Sequence, residues 1–179
     1  LVGSEMCIRD SSSVLPIADQ NFSKFDMSFY STRPDGRSGI SPRENMEYNL
    51  GECKAYAAKF SKDSPNLLLF GSTGLGKTFL STCIAEAVSA RGFSVAYDTA
   101  INIVAAYETI KFGSGDGEAA AERAARYERA DLLIIDDMGT EMGTAFTVSA
   151  LYNLINNRLM AKRPMIINTN LLPETLSEK

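Results

Sequence analysis

Apolar positions along this chain keep two rhythms. Short, largely apolar runs at residues 67–70, 93–97, 132–135 and 165–169 are too brief for an amphipathic helix, and they read as strands. The runs at 67–70, 132–135 and 165–169 suit strands covered on both faces, as in a parallel sheet. Elsewhere apolar residues recur every three or four positions. The series are Met46, Leu50, Cys53, Ala57, Phe60; then Phe79, Leu80, Cys83, Ile84, Ala87, Val88; then Ile103, Val104, Tyr107, Ile110; and last Val148, Leu151, Tyr152, Ile155, Leu159. Each predicts a helix with one inward stripe. Residues 118–130 are helical by propensity, with their charges on a solvated face. Strands alternating with helices predict an α/β domain built on a parallel sheet.

Local chemistry sharpens the boundaries. Ser41-Pro42-Arg43-Glu44 combines an N-cap serine, a first-turn proline and a glutamate three residues after the cap, so a helix begins there and runs to Phe60. Arg91-Gly92 and Arg163-Pro164 are stops, and residues 31–39, 113–117 and 138–146 read as loops. Residues 17–30 carry Phe22, Phe25, Phe29 and Tyr30, an arm able to pack on the main domain. Aromatic rings at such spacing serve packing more often than base stacking.

The strand at 67–70 and the helix after it enclose G-x-x-x-x-G-K-[ST], here Gly71-Ser72-Thr73-Gly74-Leu75-Gly76-Lys77-Thr78. Glycines let the backbone turn tightly, so that N–H groups from Gly71 through Phe79 and the positive end of the helix face a polyphosphate. Lys77 then reaches the terminal phosphates, and Thr78 offers its hydroxyl to Mg²⁺. A second landmark is the apolar strand that ends in Asp136-Asp137. Acids at the C-terminal tip of a parallel strand stand where open α/β sheets bind ligands. Asp136 is the candidate metal acid, and Asp137 the group that orients or deprotonates an attacking water. Asn170, at the tip of the last apolar strand, is a candidate partner for that water or the γ-phosphate; Glu141 is a further candidate acid.

Composition narrows the setting. The chain has 179 residues, 45% hydrophobic and 22% charged, with a formal net charge of −4, so no global basic field advertises nucleic acid. Arg123, Arg126 and Arg129 could touch a phosphate backbone, although a solvated helix face explains them more simply. Three cysteines without C-x-x-C spacing, and no histidine, argue against a disulfide framework or a zinc site and suit a reducing cytoplasm. No apolar run approaches the roughly 20 residues of a membrane span. Residues 1–13 resemble translated adapter sequence and are set aside, residues 14–40 read as arm and loop, and 41–179 as the catalytic core. A helix is expected to start after Pro173, so the chain is expected to be a fragment.

With these pieces placed, the sequence resembles the AAA+ ATPases of the DnaC/IstB type, helicase loaders and transposon helper ATPases. The resemblance runs over about residues 22–179 and rests on GSTGLGKT at 71–78, LLIIDDMGTE at 132–141, TVSALYNLINNRL at 147–159 and IINTNL at 166–171. It implies a P-loop NTPase core, with ATP and Mg²⁺ as cofactors. Lys77 and Thr78 would carry phosphate and magnesium, Asp136 and Asp137 the metal and the water, and Asn170 would sense the γ-phosphate. It also implies a replicative helicase and single-stranded DNA as partners, and a homo-oligomer in which a neighbour's arginine completes the ATP site. Five parallel strands are typical of the family and four are legible here, so the C-terminal strand and lid are expected to be missing. The residues leave alternatives open: a transposition helper ATPase, or a nucleotide-binding module with negligible turnover. A small-molecule kinase fits less well, because no acceptor pocket or arginine-rich lid is visible and paired acids suit attack by water.

Overall fold

Four strands carry the apolar runs in the computed structural model, which describes residues 20–34, 36, 39–113, 115–139 and 143–172. They are β1 (Leu67–Phe70), β2 (Val95–Thr99), β3 (Leu132–Met138) and β4 (Met165–Thr169). Every pairing is parallel and the spatial order is β1-β4-β3-β2. Because β4 lies between β1 and β3, the C-terminal ends of these three strands share one edge of the sheet. The helices are α1 (Pro42–Lys59), α2 (Lys77–Ala90), α3 (Ala100–Phe112), α4 (Gly117–Arg129) and α5 (Ala145–Met160). The adapter-like segment 1–13, Glu141 and the helix expected after Pro173 lie outside the described residues.

Period-two alternation explains why the strands look uniformly apolar. Val95, Tyr97, Leu132, Ile134 and Ile166 face one core with Met46, Cys53, Ala57 and Phe60 of α1 and Leu80, Ile84 and Val88 of α2. Ala96, Leu133, Ile135 and Met165 face the other, with Ile103 and Val104 of α3, Tyr127 of α4 and Leu151 and Leu154 of α5. Both faces of the central strands are covered, so neither face needs polar residues. The start of α1 is the expected capping box: Glu44 N–H donates to Ser41 Oγ at 3.2 Å and Ser41 N–H donates to Glu44 Oε2 at 2.8 Å. The Ser41 N–H, and then the Ser41 hydroxyl, which also donates to Glu44 Oε2 at 2.8 Å, hold the Glu44 carboxyl below its ordinary value. The aromatic arm packs as expected through Phe22, Phe25 and Tyr30, whereas Phe29 is exposed.

Several expectations are corrected. Strand β1 is not covered on both faces: it is the sheet edge among the described residues, with Leu68 43% and Phe70 49% exposed. Strand β2 runs from Val95 to Thr99 rather than 93–97. Phe93 instead meets Phe60 edge-on, with ring centroids 5.0 Å apart, and the ladder with β3 continues to Thr99 opposite Asp136. Helix α5 begins at Ala145, capped by Thr144, and buries Thr147, Ala150, Leu151, Leu154 and Arg158. Val148, Tyr152 and Leu159 are exposed, as is Ile110 of α3. The apolar periodicity in α5 thus points about one residue away from the true stripe, because two members of that stripe are polar.

Arg158 explains the discrepancy. It is 1% exposed, and its guanidinium donates to the carbonyls of Tyr127 at 2.8 Å, Glu128 at 3.2 Å, Ala130 at 3.1 Å and Pro164 at 2.7 Å. Two of these are last-turn carbonyls of α4, the groups a helix leaves unpaired and a cation satisfies best. Burial pushes the Arg158 pKa down to about 10, so the side chain remains a cation at neutral pH. We expect Arg158→Ala to cost about 3 kcal/mol or more in urea unfolding, since several buried acceptors lose their donor at once. A loss below about 0.5 kcal/mol, the size of an ordinary surface change, would contradict this role. Burial also pushes the thiols of Cys53 and Cys83 up, to about 11 and about 12. At pH 8.5, where an ordinary thiol is about half ionised, both should resist iodoacetamide until the protein is unfolded. Rapid labelling of either in the native protein would show that the two helices do not pack as described.

Candidate functional site

The loop between β1 and α2 takes its shape from glycines at positive φ: Gly71 at 134°, Gly74 at 83° and Gly76 at 90°. Gly76 is also the N-cap of α2, and it supplies no side-chain acceptor to the helix's first N–H groups. Such a terminus, carrying Lys77, Thr78 and Phe79, is suited to an anion. Ser72, Thr73, Gly74 and Leu75 are exposed at the loop crest. Gly76 is constrained from outside as well, because a Cβ there would stand 2.7 Å from the Tyr30 hydroxyl. That hydroxyl donates to the Leu75 carbonyl at 3.1 Å, while Phe25 stacks on Tyr30 and meets Phe79 edge-on at 5.5 Å. The aromatic arm therefore buttresses the glycine loop.

Lys77 connects this loop to the tip of β4. Its Nζ donates to Gly71 O at 2.7 Å, Ser72 O at 2.9 Å and Asn170 Oδ1 at 2.8 Å. All three acceptors are neutral and do not cancel the ammonium charge, so the loop fits a polyphosphate. Thr78 connects the same helix start to β3, its Oγ1 donating to Asp136 Oδ1 at 3.2 Å. Lys77, Thr78, Asp136 and Asn170, read from separate stretches of sequence, thus come together at one edge of the sheet.

Asp136 is 2% exposed and well supplied with donors. Its Oδ1 also accepts from Asn168 Nδ2 at 2.9 Å and from the Asp137 N–H at 3.0 Å, and its Oδ2 accepts from the Tyr97 hydroxyl at 2.5 Å. An ionised carboxylate is acceptor-only, and this set satisfies it. Burial, and then the charge of Asp136, push the Tyr97 phenol well above its ordinary value, so that it keeps its proton and serves as a hydrogen-bond donor. The ladder between β3 and β4 slips here: Ile135 faces Ile167 and Met138 faces Thr169, three steps against two. This bulge turns Asp137 out at φ 52°, exposed at the strand tip. Among the described residues no cluster of three or more His, Cys, Asp or Glu could hold a metal. A cation here would take Thr78, Asp136, phosphate oxygens and water, a donor set that fits Mg²⁺.

Sequence reasoning missed Tyr97, Asn168 and Ser81. Asn168 also donates to Ser81 Oγ at 2.7 Å, and Ser81 donates to the Thr78 carbonyl at 3.0 Å. The available signal was an asparagine in the middle of an apolar strand. Helix α4, which carries Arg123, Arg126 and Arg129, packs in the core on the sheet face opposite α1 and α2. No helix of the described residues is long and apolar enough to cross a membrane.

Comparison with known proteins places this geometry. The replicative helicase loader DnaC of Escherichia coli is 25% identical over 154 residues, covering 78% of this chain and 62% of the relative. A putative ATP-binding protein in an insertion sequence of Mycobacterium tuberculosis is 28% identical over 108 residues, covering 60% of this chain and 41% of the relative. A crystal structure of the DnaC helicase loader superposes with a TM-score of 0.66 at 17% identity, covering 90% of this chain and 84% of that one. The fold is that of the AAA+ P-loop domains. The chain spans 62% of the length of DnaC. A sequence model of the family described as IstB-like ATP binding protein matches residues 53–177, and by that match across most of its length the chain belongs to this family of DnaC/IstB-like ATPases.

Proposed function

We propose that this chain is the ATPase core of a replicative-helicase loader, binding Mg·ATP between the 71–78 loop and the tips of β3 and β4. The observation that carries this reading is the pair of bonds from α2, Lys77 to Asn170 and Thr78 to Asp136, which join phosphate-binding and acidic residues across three strands. Backbone N–H groups from Gly71 to Phe79 would cradle the phosphates. Lys77 would exchange the Gly71 and Ser72 carbonyls for terminal phosphate oxygens and keep its bond to Asn170. With Oδ1 held by Lys77, the Asn170 amide can present Nδ2 to the γ-phosphate or to the attacking water. Asp137, exposed at the bulge, would orient that water and accept its proton. Thr78 and Asp136 would hold magnesium, which would supply positive charge to offset the negative charge that develops in phosphoryl transfer.

Alignment with the helicase loader over 78% of the chain supports the loader branch. For the whole protein that reading carries a replicative helicase and single-stranded DNA as partners, and assembly through the ATP site. The insertion-sequence relative and the family description support a second reading, a transposition helper ATPase. The two readings share the site and differ in partner. Affinity purification of the tagged protein from its host should recover a replicative helicase; recovery of a transposase instead would favour the second reading.

For the site itself, Lys77→Ala should weaken binding of fluorescent Mg·ATP by about a hundredfold or more, through loss of the charge that faces the phosphates. Asp137→Asn should leave binding within about twofold while slowing phosphate release by at least about a hundredfold. Equal ATP binding by wild type and Lys77→Ala would refute the assignment of the loop.

A further inference from the structure

We propose that Tyr97 and Asn168 are positioning residues that fix the Asp136 carboxylate so that one edge faces Thr78 and the metal of the nucleotide site. This rests on the Mg·ATP reading above and extends it to two residues that would touch neither nucleotide nor metal. Tyr97 lies on β2, on the side of β3 away from the glycine loop, and its hydroxyl donates to Asp136 Oδ2 at 2.5 Å. Asn168 lies on β4, on the other side of β3, and donates to Oδ1 at 2.9 Å. The carboxylate is thus gripped from both flanking strands, one oxygen each. Thr78 approaches Oδ1 from the start of α2, and the Asp137 N–H completes the set. With either flanking donor removed, the carboxylate can rotate away from Thr78 in search of another.

Asn168 itself argues that this arrangement serves the site. It is fully buried in a strand whose first three residues, Met165 to Ile167, are apolar, and its Oδ1 has no hydrogen-bond partner among the described residues. An aliphatic side chain would pack there without leaving an acceptor unpaired. The amide is oriented by its two acceptors, Asp136 Oδ1 and Ser81 Oγ, and the orphaned carbonyl follows from that orientation. Local rules are broken in this way mainly at functional sites. Residues that hold a metal-facing carboxylate in place commonly matter about ten- to a hundredfold to metal affinity.

The test compares affinity for fluorescent ATP with saturating Mg²⁺ and with EDTA, in the full chain. In wild type, Mg²⁺ should tighten binding. Tyr97→Phe keeps the ring and removes only the donor; it should reduce that magnesium-dependent gain about tenfold and leave affinity in EDTA unchanged. Asn168→Leu should do the same, and circular dichroism reports whether it has folded. A Tyr97→Phe protein with the wild-type gain overturns the proposal alone. So does one that loses affinity equally with and without metal, since that marks general damage. If wild type binds no ATP under either condition, the nucleotide reading falls and this proposal falls with it.

Discussion

The hydrogen bond between Thr78 and Asp136 is the contact on which the rest of the architecture bears. It joins the helix that follows the first strand to the tip of the third, across a parallel sheet in which β4 lies between β1 and β3. It also places a carboxylate, 2% exposed, inside the protein. Burying a charge is costly unless it is saturated with donors. The chain meets that requirement from α2, β2, β4 and its own backbone, so the position of the acid is determined by the fold as a whole. A carboxylate held this way has little freedom left to reorganise, which suits it to hold a cation in a fixed position.

Much of this was legible in the sequence, for identifiable reasons. The central strands β3 and β4 were visible because parallel strands covered on both faces become largely apolar runs. The glycine loop was visible because its turn, its lysine and its threonine are each demanded by a separate physical need. What escaped was polar chemistry inside apolar elements. Tyr97 and Asn168 read as strand residues, yet their side chains end on Asp136. Arg158 interrupts the apolar stripe of α5, so periodicity pointed to Val148, Tyr152 and Leu159, which are exposed. The bulge at Asp137 has no sequence signature of its own, and the exposure of β1 depends on strand order, which apolar runs do not encode.

The aromatic arm ties a region outside the sheet to the same loop. Tyr30, Phe25 and Phe79 form a chain of contacts that ends on the backbone at Leu75 and Gly76. Aromatic pairs of this kind contribute about 0.5–1.5 kcal/mol each beyond their buried area. Gly76 is thereby constrained twice, by its left-handed backbone and by the hydroxyl beside it. The loop is held in shape from the arm side, while its crest at Ser72 to Leu75 stays open.

The most direct test of the central claim is a crystal structure of the protein with Mg²⁺ and a non-hydrolysable ATP analogue. The expected result is a triphosphate within the 71–78 loop, with the metal beside Thr78 Oγ1 and the Asp136 carboxylate, directly or through one water. A triphosphate bound elsewhere, or a metal that contacts neither Thr78 nor Asp136, would contradict it.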